Sequence, residues 1–91
     1  MVLLRYVYMS SKLIKELVRK YDLDPDEAKV LEYFIRNISV GEILAIRELT
    51  AIYHVREPLK VIIRLIKKGV LTKGLGCYNL SNEIRKLLKS R

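Results

Sequence analysis

The stretch "IRLIKKGVLTKGLGCYNLS", residues 63 to 81, decides how this chain should be read. A helical apolar run ends in Lys67, Lys68 and Gly69. A short apolar segment, "VLTK", follows, then Gly74, Leu75 and Gly76, then a second apolar segment, "CYNLS". Two strand-like stretches across a glycine-rich turn predict a hairpin. Gly69 behind two lysines is the signal of a left-handed helix C-cap, with the lysines favourably placed against the helix dipole. A lysine-tipped helix therefore runs directly into a stubby hairpin.

Upstream, Pro58 in "REPLKVIIRLIKKG" cannot lie in a helix interior, so this helix begins with Glu57 or Pro58 in its first turn. "IRELTAIYHV", residues 46 to 55, predicts another helix, with Leu49, Ile52 and Tyr53 on one face and a turn near His54 and Val55. "SVGE" reads as a turn and "ILAI", residues 43 to 46, as a small strand. "LDPDEAKVLEYFIRN" is a clearer helix: Asp24 is a natural N-cap, Pro25 suits the first position and Glu27 completes a capping box. Leu31, Phe34, Ile35 and Ile38 form its buried stripe, with Val30 at the edge. "SSKLIKELVRKY", residues 10 to 21, is helical through Leu13, Ile14, Leu17 and Val18. Residues 2 to 9 fit a strand or a helical turn equally. "SNEIRKLLKSR" is a last helix, capped by Ser81 or Asn82, burying Ile84, Leu87 and Leu88.

The 91 residues suit one small domain, and half of them are apolar, enough for a core. The formal charge is +8. Residues 1 to 45 carry seven basic and seven acidic side chains, whereas residues 46 to 91 carry eleven basic and three acidic. The whole imbalance sits in the second half, which suggests an anionic partner, with nucleic acid first. A single cysteine, Cys77, excludes an internal disulfide and fits a reducing compartment. No apolar run approaches the roughly 20 residues of a membrane span, and "MVLLRYVYM" lacks the pattern of a signal peptide. A cytoplasmic, nucleoid-associated protein is expected, and the Ile, Leu, Lys and Tyr content without tryptophan suggests a thermophilic, archaeal source.

The predicted order, α-α-β-α-α-β-β-α, makes an α+β unit. From residue 25 onward it resembles the winged helix-turn-helix family. "IRELTAIYHV" looks like the first helix of that motif, "LKVIIRLIKKGVL" like the recognition helix running into the wing, and "YNLSNEIRKLL" like the closing strand and helix. "LDPDEAKVLEYF" is similar to the helix preceding the motif in small archaeal DNA-binding regulators. The resemblance covers about two-thirds of the chain. It implies one domain over 1–91, with a winged-helix core at 25–91 and an N-terminal helical extension at 1–24. It also implies a transcriptional regulator that contacts double-stranded DNA. The interval from Val55 to Gly69 is slightly short for the family, and Lys73 is the hairpin's only charge, which argues against a deep minor-groove contact.

On the implied recognition helix, Leu59, Ile62, Ile63 and Ile66 repeat on one face, with Leu65 at its margin, and form the expected core stripe. Arg56, Lys60, Arg64 and Lys67 fall within roughly 80° on another side at 100° per residue. Arginine suits bidentate contact with guanine or phosphate, so Arg56 and Arg64 lead the expected DNA contacts. Lys60, Lys67, Lys68 and Lys73 suit phosphates, which position without specifying. Val61 is expected to point outward, and Glu57 to complement the helix dipole. Charge reversal at Arg64 and Lys60 is then expected to abolish duplex binding with the melting temperature nearly unchanged.

His54, Tyr53, Tyr78 and Cys77 read as structural, and Gly74 and Gly76 as a turn rather than a phosphate loop. With one histidine, no metal-ligand spacing and no nucleophile beside a base, neither catalysis nor a cofactor is expected. A second reading makes the chain a small accessory subunit of a replicative DNA polymerase or another DNA-processing or transcription complex, using the same fold for protein contacts. The apolar opening segment favours that reading, and it or the helix at 10–21 also offers a surface for a homodimer.

Overall fold

The computed structural model describes residues 2–89, with side chains from Lys12 onward. Five helices and a three-stranded antiparallel sheet follow one another in the expected order. Helix α1, Val2–Tyr21, is uninterrupted by glycine or proline, and residues 2 to 9 continue it rather than forming a strand. Leu13 and Leu17, one turn apart, are buried in the chain's own core. The side chains of residues 1 to 9, one of the surfaces expected to pair two copies, lie outside the described residues.

Asp22, at φ 52°, turns the chain into α2, Pro25–Asn37. The capping box forms as read. The Glu27 amide donates to Asp24 Oδ1 at 2.7 Å, and the Asp24 amide to Glu27 Oε1 at 2.9 Å. Val30, Leu31, Phe34 and Ile35 are buried in the core. Ile38 is instead a half-buried C-cap at φ 65°, a strained conformation for a β-branched residue. It is held because its amide donates to the Phe34 carbonyl at 2.7 Å and its carbonyl accepts from Leu80 at 2.8 Å.

The first strand is β1, Ser39–Gly41, and not "ILAI". Val40 is buried opposite Tyr78, whereas Ala45 and Leu49 are both buried four residues apart, a helical and not an alternating spacing. Residues Glu42–Ala51 accordingly form α3. Ile52 falls just beyond it and is exposed, against expectation. Tyr53 packs edge-on against Tyr33, with ring centroids 5.5 Å apart.

Helix α4, Pro58–Lys67, starts and stops as expected, with Gly69 at φ 82° closing it. Strands β2, Leu71–Gly74, and β3, Cys77–Leu80, form the hairpin around Leu75 and Gly76. Sheet order is β1-β3-β2, so β1 completes the far side of β3. Helix α5, Asn82–Lys89, buries Ile84, while Leu87 and Leu88 are only partly covered. No described helix is long and apolar enough to cross a membrane.

Tyr33 joins α2 to α3 by donating its hydroxyl to Glu48 Oε1 at 2.6 Å. Burial, and then the bond to Glu48, push its phenol well above the ordinary value near 10. The folded chain thus holds this proton more tightly than the unfolded chain. The associated stability is present below about pH 10 and is lost as pH rises further. In denaturant titrations between about pH 9 and 11, Tyr33→Phe should show a shallower alkaline loss of stability than the parent. Parallel declines would contradict this.

Candidate functional site

Burial on α4 follows Pro58, Val61, Ile62 and Leu65. The expected stripe of Leu59, Ile62, Ile63 and Ile66 is therefore rotated by about a quarter-turn, at 100° per residue. Val61, expected to point outward, is 3% exposed. Leu59 and Ile63, expected inside, are 50% and 43% exposed. Pro58, buried at the first position, lies on the same face as Val61, Ile62 and Leu65.

Four of the six cations expected to meet phosphate lie within ion-pair distance of carboxylates. Arg64 Nη2 lies 3.4 Å from Asp24 Oδ2, and its Nε lies 3.8 Å from Glu27 Oε2. Lys68 Nζ donates to Glu27 Oε1 at 3.0 Å and to the Asp22 carbonyl at 2.9 Å. Glu27 is only 2% exposed. Its Oε2 has no hydrogen-bond partner among the described groups, so the nearby guanidinium is what balances it. Lys60 sits 2.7 Å from Glu57, and this bond holds the Glu57 carboxyl below its usual range. Lys73 sits 3.1 Å from Glu42, whose carboxylate raises the ammonium above its ordinary value. Among the described residues only Arg56 and Lys67 of the six form no ion pair.

Beside the Glu42–Lys73 pair lies an apolar groove of about 450 Å³. Glu42, Ile43, Ile46 and Arg47 of α3 form one wall, Leu59 of α4 the other, and Tyr78 of β3 completes the lining. Ile63, one turn beyond Leu59 on α4, is exposed but outside this lining. The Gly76 carbonyl accepts from the Glu42 amide at 3.1 Å, which sets the hairpin tip, with Leu75 wholly exposed, at the groove's end. The sequence does carry a trace of this surface. The apolar arc of α4 from Val61 round to Ile63 spans roughly 200°, about twice what a core-facing stripe requires.

Residues 24–86 match the family PolB1 Binding Protein 2. The chain belongs to that family. No curated protein matches it. The family takes its name from binding PolB1, and it is not a transcription-regulator family, so the reading as a winged helix-turn-helix transcriptional regulator is overturned. Among the described residues of this family member, no group of three or more His, Cys, Asp or Glu side chains could hold a metal ion.

The ion cluster has a direct consequence for charge reversal. Arg64→Glu places a third carboxylate beside Asp24 and Glu27. Arg64 is half exposed, so solvent screening reduces the penalty to about 2 kcal/mol, or a melting point lower by roughly 10 °C. Lys67→Glu, on an unpaired exposed side chain, should stay within about 0.5 kcal/mol of the parent. Thermal unfolding of both variants decides, and equal melting points would contradict the cluster's role.

Proposed function

We propose that this chain is a non-catalytic accessory subunit of a DNA polymerase of the PolB1 kind. In this reading residues 1–91 act as one domain, with α2 to α5 arranged as a winged helix turned to protein contact. The carrying observation is the family match over residues 24–86. The surface supports it. A helix that reads base edges needs polar side chains aimed outward, whereas α4 aims Leu59 and Ile63 outward and engages Lys60, Arg64 and Lys68 with carboxylates. Leu13 and Leu17 of α1 share a core with α2 to α5, which supports a single unit. The protein would work in the cytoplasm, at the nucleoid, with the polymerase.

Purified chain mixed with a PolB1-type polymerase should co-elute in size-exclusion chromatography as a complex of one copy each, verified by light scattering. Its affinity should fall with salt far less steeply than a contact with several phosphates would. Separate elution, or a chain that instead binds duplex with a log–log salt slope of about −6, as some seven phosphate contacts demand, would overturn the proposal.

A further inference from the structure

We propose that the groove between α3 and α4 is the docking site for an acidic, amphipathic segment of the polymerase, one that inserts large apolar side chains between Ile43 and Leu59. This assignment rests on the accessory-subunit reading and adds to it the surface and the chemistry of the partner. The first observation is the clustering of exposed large apolar residues. Ile43 is 76% exposed, and Leu59 and Ile63 add two successive turns of α4. Ile46 and Tyr78 supply an apolar base. Ile43 and Leu59 line the groove, with Ile63 one turn beyond Leu59. Exposed side chains of this size placed so close together mark a contact surface rather than scattered surface leucines.

Charge selects the occupant. Glu42 in the lining is matched by Lys73, and Glu57 before α4 by Lys60. Of the two charged residues in the lining, Glu42 is paired, and Arg47 has no ion pair among the described residues. The groove's unmatched charge is therefore positive, and the complementary segment carries carboxylates beside its apolar anchors. The same charges disfavour a second copy of this chain, because a symmetric contact would bring like guanidinium groups together in a molecule of charge +8. Duplex DNA is disfavoured by the mostly apolar lining, because Ile43, Ile46 and Leu59 offer the base edges no donors or acceptors.

The test measures affinity of the purified polymerase for the full-length parent, for Leu59→Asp combined with Ile63→Asp, for Arg47→Glu, and for Lys15→Glu on the outer face of α1. The groove double variant should weaken binding by at least about 100-fold (about 2.7 kcal/mol). Arg47→Glu should weaken it by about 10-fold, and Lys15→Glu should leave it unchanged. Parent-like affinity of the double variant would overturn the docking site while leaving the accessory-subunit reading intact. Failure of the parent itself to bind would remove that reading as well. A benzophenone side chain at position 63 provides a check that does not depend on the fold of the aspartate variants. A photo-crosslink to an acidic, apolar polymerase peptide supports the assignment. Crosslinks to a second copy, to duplex DNA, or to no polymerase peptide would overturn it.

Discussion

The Glu27 carboxylate is the constraint on which the surface of this protein depends. One oxygen caps α2 through the Asp24 amide and also receives Lys68, while the other faces Arg64. A carboxylate at 2% exposure is costly without such partners. The pairing ties the C-terminal half of α4 to the start of α2. Together with Pro58 at the other end, it leaves α4 one rotation about its axis. Val61, Ile62 and Leu65 then face the core, and Leu59 and Ile63 face water.

This arrangement changes what the charge of +8 means. Counted along the chain, all the excess lies after residue 45. In three dimensions, Asp24, Glu27 and Glu42 of the neutral half reach across to Arg64, Lys68 and Lys73 of the basic half. Arg64, Lys68 and Lys73 are thus paired within the domain while staying partly exposed. What remains on that side is an apolar groove with a thin positive border, a surface suited to protein more than to phosphate.

Much of the fold was legible because local signals agreed. Asp24, Pro25 and Glu27 announce the start of α2, Gly69 the end of α4, and the spacing around Gly74 to Gly76 the hairpin. Two things were not. "ILAI" fits a strand by composition, and only the joint burial of Ala45 and Leu49 makes it helix, while the less apolar "SVG" pairs with β3. The rotation of α4 was also ambiguous, because apolar residues occupy positions 58, 59, 61, 62, 63, 65 and 66, and several core stripes can be drawn through them. That ambiguity carried into function. A stripe placed one residue off leaves only cations outside, whereas the true one sets the exposed Leu59 and Ile63 beside them. The motif patterns that resemble winged helix-turn-helix regulators describe helices and a hairpin, and the partner is chosen by the surface laid over them.

The most direct measurement is a methyl spectrum of the isoleucine- and leucine-labelled chain, titrated first with duplex DNA and then with the polymerase. Ile43, Leu59 and Ile63 should broaden or shift with the polymerase and not with DNA, while Leu13 and Ile84 in the core stay in place. Changes at the α4 methyls on adding DNA alone, or a polymerase complex in which those three methyls do not move, would contradict this.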